Sequence, residues 1–198
     1  MSFELEEKRL SELVKQLLND CDPAGSRIDF LGRQFDLGLA WVHFGEGHGG
    51  LGVAPKLQSR VNTQLAEARA PICWPFNPIG YGMCGPTVYT HGSEDQKKRY
   101  LRPLFTAEEI WCQLFSEPSA GSDVAGLTSR AIRDGDEWVV NGQKVWTSLA
   151  HVSQWGCLVT RTDPDAPKHK GLSYFVVDMK QEGVDAVSYT HLTLPTKA

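Results

Sequence analysis

The sequence predicts an α+β chain of two domains, a helical one followed by an all-β one, with the boundary near residue 110. Three observations predict it. Apolar residues recur at helical spacing in the first half, as in Leu10, Leu13, Val14, Leu17 and Leu18. After Trp111 the apolar runs shorten and are divided by turn residues such as Asp134-Gly135-Asp136 and Asn141-Gly142. No uninterrupted apolar stretch approaches the roughly 18 residues of a membrane span, so the 198 residues are expected to fold in water.

The first helix carries Leu10 to Leu18 on one face and stops at Pro23 and Gly25. A second begins at Pro55, whose missing N–H is harmless in a first turn, and carries Leu57, Val61, Leu65 and Ala68 along one side. A third, less regular helix lies between Ile79 and Thr90. Ser93-Glu94-Asp95-Gln96 forms a capping box, and the helix it opens is expected to end before Pro103. Strands are expected at Arg130 to Arg133, Trp138 to Val140, Gln143 to Thr147, Gly156 to Thr160 and Leu172 to Asp178. Asn141-Gly142 gives the strongest hairpin signal, since a two-residue turn there needs positive φ at both positions. No internal repeat is present.

With 20 Lys+Arg against 24 Asp+Glu the formal net charge is −4, which leaves no basic surface for nucleic acid or an acidic membrane. Glu4, Glu6 and Glu7 stand where a signal or transit peptide would be basic, so a cytoplasmic location is expected. The five cysteines (Cys21, Cys73, Cys84, Cys112, Cys157) form no C-x-x-C pair and have no histidine at zinc-ligand spacing. They read as buried or free thiols in a reducing compartment, with no metal site.

Gly45-Glu46-Gly47-His48-Gly49-Gly50 matches the dinucleotide pattern G-x-G-x-x-G. The second strand of a βαβ unit is missing, because residues after Ala70 are too rich in proline for a central strand, so the segment reads as a turn between helices. A Ser-His-Asp hydrolase is disfavoured because no G-x-S-x-G elbow occurs. Two other clusters carry more chemistry. From Trp111 to Asp123 an apolar run leads into a loop of small residues and hydroxyls whose backbone N–H groups could cradle a phosphate or pyrophosphate. At Gly142 to Ser148 the chain presents an indole and two hydroxyls.

At this order and spacing the clusters resemble the acyl-CoA dehydrogenase family. The matching segments are Gly49-Gly50-Leu51-Gly52, His91 to Lys97, Phe115-Ser116-Glu117-Pro118-Ser119-Ala120-Gly121-Ser122-Asp123, and Val139 to Ser148. The resemblance implies an N-terminal helical-bundle domain over residues 1–110 and a middle β-barrel-like domain, incomplete, over 111–186. It further implies FAD as cofactor. The family positions matched by Gln113, Leu114, Phe115, Ser116, Gly121 and Ser122 line the flavin, and Ser122 also lies by the entering CoA thioester. Trp146 matches the indole beside the flavin ring and Ser148 the hydroxyl near its reactive edge, with Thr147 between them.

The reaction so implied is α,β-dehydrogenation of an acyl-CoA to the 2-enoyl-CoA, a carboxylate taking the α proton while the β hydrogen leaves as hydride to flavin N5. An electron-transfer flavoprotein is the implied acceptor, and the full-length protein is expected to be a homo-oligomer. An acyl-CoA oxidase, a flavin monooxygenase of the same fold, or a non-catalytic fragment binding acyl-CoA or a partner are the alternatives. Ser119 replaces a usual glycine, and His43-Phe44-Gly45 stands where a proline-containing turn is common. Residues 187–198 are expected to be foreign sequence. No glutamate present matches the family's base, which is expected in an absent C-terminal domain. The chain alone is therefore expected to be inactive and to bind FAD weakly or not at all.

Overall fold

Helix α1 (Phe3–Asp20) buries Leu10, Val14 and Leu17, one stripe of an otherwise charged helix. These side chains meet Phe30, Leu39, Val42, Leu57, Val61 and Leu65 in one apolar cluster. Helix α2 (Arg27–Asp36) opens on Ser26, whose hydroxyl accepts from the Asp29 N–H, and α3 (Gln58–Glu67) follows a 3-10 turn at Pro55–Leu57. A π-helical turn at Gly80–Cys84 runs into α4 (Gly85–His91), and α5 (Glu94–Thr106) closes the helical unit. The computed structural model describes residues 3–187, which divide into two units between Glu109 and Ile110. Residues 188–198 of the expected foreign tail lie outside the described residues.

Helix α2 is absent from the sequence reading, although Ser26 and Asp29 supply a cap. The capping box on Ser93 and Gln96 is present as read, with both reciprocal bonds made. Helix α5, however, does not stop before Pro103 but runs through it to Thr106. An internal proline costs about 3 kcal/mol. Continuing the helix buries Leu104 and Phe105, at 0% and 2% exposure, and each such side chain returns about 1.5–3 kcal/mol. The burial wins.

Gly45 to Gly50 forms a turn with no strand beside it, Gly47 and Gly49 having φ of +81° and +85°. Gly50 fills a different need. A Cβ there would sit 2.2 Å from the Phe44 carbonyl oxygen and 2.3 Å from that of Trp41.

The second unit is one five-stranded sheet built on β4 (Trp155–Arg161). On one edge β4 pairs parallel with β1 (Trp111–Leu114) and, at Arg161, with β2 (Arg130–Asp134). On the other it pairs antiparallel with β5 (Leu172–Asp178) along its whole length. Strand β3 (Glu137–Asn141) hydrogen-bonds to β2 as a hairpin.

That hairpin turns at Gly135-Asp136, with Gly135 at φ +59°, the first-position glycine that a two-residue loop accepts. The expected hairpin at Asn141-Gly142 is not formed, neither residue has positive φ, and the expected strand Gln143 to Thr147 is irregular chain. Gly142 is required for close approach instead, since a Cβ there would lie 2.2 Å from the Ser129 Cβ. Gly142→Ala is therefore expected to cost about 1–3 kcal/mol, read as a lowered urea midpoint. An unchanged midpoint would show that the two segments are not in contact.

Candidate functional site

Strand β1 is anchored by Trp111 and Cys112, both fully buried, and its C-terminal half is partly buried, with Leu114 packed against the cluster of Cys112, Ala150 and Met179. Phe115 and Ser116 continue the chain into a tight turn closed by two backbone bonds, Glu117 N–H to the Ala120 carbonyl at 2.8 Å and Ala120 N–H to the Glu117 carbonyl at 3.1 Å. Ser119 sits exposed in that turn without a positive φ, which is why serine fits where glycine is usual. Gly121 and Ser122 are exposed beyond it, and Asp123 is paired with Lys168.

Beneath this loop lies a buried ion pair. Glu117 accepts from Thr128 N–H at 2.6 Å, Thr128 Oγ1 at 2.7 Å, Ser129 N–H at 3.0 Å, Ser129 Oγ at 2.5 Å and Lys144 Nζ at 2.9 Å. Lys144 Nζ also donates to the carbonyls of Phe115 at 3.1 Å and Val159 at 2.8 Å. The side chains are 2% and 8% exposed. Burial by itself would raise the Glu117 pKa, but the hydrogen bonds from Ser129, Lys144 and Thr128 outweigh it and hold the carboxyl down at about 2. Burial lowers that of Lys144, and the carboxylate partly restores it. With its oxygens so fully engaged, Glu117 is a scaffold group and not a proton acceptor.

From Lys144 the chain passes Val145, whose N–H donates to the Ser116 carbonyl at 2.9 Å, and reaches Trp146. The indole is 84% exposed and its backbone is left-handed, φ +60°, with Leu149 at +65° three residues on. Large residues seldom hold this conformation, and where they do it is over-determined by neighbours and concentrated at functional sites. Thr147 follows with its Oγ1 buried and lacking a hydrogen-bond partner.

Trp146 and Thr147 line a cavity of about 420 Å³, with Leu114, Trp138, Val140, Lys144, Met179, Glu182 and Asp185 among its other walls. Of the nine residues expected at the site, Leu114, Trp146 and Thr147 line this cavity, while Gln113, Phe115, Ser116, Gly121, Ser122 and Ser148 do not. Gly121, Ser122 and Ser148 are exposed, and Gln113, Phe115 and Ser116 partly buried. The sequence reading missed Lys144, Thr128 and Ser129 as the residues that join the two clusters. A lysine and a glutamate each set within apolar and small residues were the available signal. The cavity wall offers a flat aromatic face and an orphaned hydroxyl, a donor set that fits the ring of a flavin.

None of the five cysteines, all among the described residues, forms a disulfide, and four of them are buried. Burial pushes the thiols of Cys73 and Cys112 up to about 12 and about 11, which makes them poor nucleophiles.

The family model described as acyl-CoA dehydrogenase, N-terminal domain, matches residues 7–108, and that for the middle domain matches 112–197, a span that takes in the tail. Acyl-CoA dehydrogenase FadE34 of Mycobacterium tuberculosis is 44% identical over 150 residues, 76% of this chain and 20% of its own length. The solved Tcur3481-Tcur3483 steroid ACAD superposes with a TM-score of 0.62 at 32% identity, over 92% of this chain and 50% of its own. The ChsE4-ChsE5 complex from Mycobacterium tuberculosis does so with a TM-score of 0.63 at 27% identity, over 92% and 49%. The chain thus spans one fifth of FadE34 and about half of each solved relative. On the two domain matches, which together take in nearly all of its length, the chain belongs to the acyl-CoA dehydrogenase family.

Proposed function

We propose that this chain supplies the helical and middle domains of an FAD-dependent acyl-CoA dehydrogenase, and that its part in the reaction is to hold the cofactor and the thioester end of an acyl-CoA. FAD, when bound, supplies the hydride acceptor for α,β-dehydrogenation. The observation that carries this reading is the pairing of an exposed, left-handed Trp146 with the orphaned Thr147 hydroxyl at one cavity. An indole face suits a planar ring, and a buried hydroxyl without a partner gains a hydrogen bond when a polar ring edge arrives. Gln113, Leu114, Phe115, Ser116, Gly121 and Ser122, of which Leu114 lines the cavity, would supply the backbone-rich side of the cradle, with Ser122 also toward the thioester. Ser148, next in the chain after Thr147, would serve the ring's reactive edge.

Likeness to a protein described as a steroid ACAD favours a bulky polycyclic acyl group within the acyl-CoA class. An electron-transfer flavoprotein is the proposed acceptor. The proposed assembly is an oligomer, of identical chains or, as in the ChsE4-ChsE5 complex, of two different ones. No helix among the described residues is long and apolar enough to cross a membrane, and cysteines held outside disulfides favour the cytoplasm as its compartment.

No described carboxylate is assigned as the base. The 198-residue chain alone is therefore expected to bind FAD weakly and to give no acyl-CoA-dependent dye reduction. A stoichiometric yellow flavoprotein that turns over acyl-CoA would overturn this.

Trp146→Gly separates cofactor binding from folding. Glycine removes a left-handed strain of about 1–2 kcal/mol and no buried area, so thermal stability is expected to hold or rise slightly. The FAD-induced shifts of Thr147 and Ser148 amide resonances are expected to vanish. Undiminished shifts would take Trp146 out of the site.

A further inference from the structure

We propose that Lys144 is a positioning residue, which sets the orientation of the Phe115–Ser116 peptide and the register of Val145 to Ser148 against the Phe115 to Ser122 loop. The identity of the ligand rests on the flavin reading above, whereas the clamp itself rests on geometry.

An ammonium group has three N–H donors. Lys144 gives one to Glu117, one to the Phe115 carbonyl and one to the Val159 carbonyl. These acceptors lie in the turn, at the end of β1 and in β4, so one nitrogen ties three segments together. The peptide group is planar and trans, so its carbonyl and N–H point in opposite directions. Holding the Phe115 carbonyl on Lys144 therefore turns the Ser116 N–H away from the ion pair.

The next residue repeats the grip, Val145 N–H taking the Ser116 carbonyl at 2.9 Å. Two consecutive residues, 144 and 145, thus hold two consecutive carbonyls, 115 and 116. Trp146 follows directly. An indole 84% exposed has little packing to hold it, and its left-handed backbone persists because the clamp determines where the chain must leave Val145. Through Lys144, the two segments that the sequence separates by more than twenty residues face a ligand as one surface.

The test compares the intact chain with Glu117→Gln/Lys144→Met and with Lys144→Arg. The double variant removes both charges together, so neither is left buried and unpaired. The arginine variant keeps Glu117 paired, but its planar fork cannot match three acceptors placed around a point charge. Amide exchange at Val145 is expected to quicken at least about tenfold in either variant, while the β4–β5 ladder amides keep their protection and so report an intact fold. With FAD as probe, the shifts at Ser116 and Trp146 are expected to be lost in both.

Val145 exchange within about twofold of the parent in a variant with a protected ladder would overturn the clamp. So would fast Val145 exchange in the parent itself. If the parent shows no FAD-induced shifts, the flavin reading fails, and the exchange measurement still decides the role of Lys144.

Discussion

Glu117→Leu is expected to lower the stability of the β unit by about 3–5 kcal/mol, because it leaves the Lys144 ammonium, with a side chain only 8% exposed, without its carboxylate. The loss exceeds that of an ordinary surface ion pair, worth about 0–1 kcal/mol, since both side chains are nearly fully enclosed and Glu117 also satisfies Thr128 and Ser129. Acid should act on the parent in the same direction. The carboxyl titrates at about 2 when folded against an ordinary 4.5, so its contribution is complete above pH about 4.5 and is lost as the pH falls toward 2. That shift corresponds to about 3 kcal/mol. Urea unfolding of parent and Glu117→Gln between pH 5 and pH 2.5 checks it: the parent should lose stability more steeply, and parallel curves would show that Glu117 is not held as an ion.

Phe44→Ala is expected to cost the helical unit about 3–5 kcal/mol. Phe44 is 2% exposed and stacks on Tyr89 with centroids 3.9 Å apart and on Trp41 at 4.9 Å. Its carbonyl meanwhile accepts from the Gly52 N–H at 2.7 Å, so the ring and the glycine turn hold each other. Amide exchange resolved by unit is the measurement. Protection should fall across α4 and α5 while the β4–β5 ladder is unaffected, and equal loss in both units would contradict the assignment of this cluster to one of them.

Much of the architecture is legible in the sequence because it depends on local pattern. The Leu10, Val14, Leu17 stripe, the Ser93 capping box and the Leu172 to Asp178 run each contain their own signal within one element. Two features that differ from the sequence pattern depend on partners distant in the chain. Pro103 stays helical because Leu104 and Phe105 are buried by the rest of the unit. Asn141-Gly142 carries the local chemistry of a hairpin, yet Ser129 occupies the space beside Gly142, and Lys144 draws the following residues down to Glu117 before they can pair as a strand.

The candidate site divides in the same way. Its surface residues, from Gln113 to Ser122 and from Trp146 to Ser148, are legible as two clusters of small, hydroxyl and aromatic groups. The reason they belong together is not legible. It lies in a glutamate and a lysine 27 residues apart, which only the paired β1 and β4 strands bring within reach. The G-x-G-x-x-G match shows the converse, a complete local pattern with no sheet beside it to give it meaning.

A titration of the 15N-labelled 198-residue chain with FAD, read residue by residue, tests the proposed cradle directly. Shift changes are expected to concentrate on Gln113 to Ser122 and Trp146 to Ser148, while Gly45 to Gly50 stays silent. Changes centred on the glycine turn, or none in the two segments at saturating FAD, would contradict it.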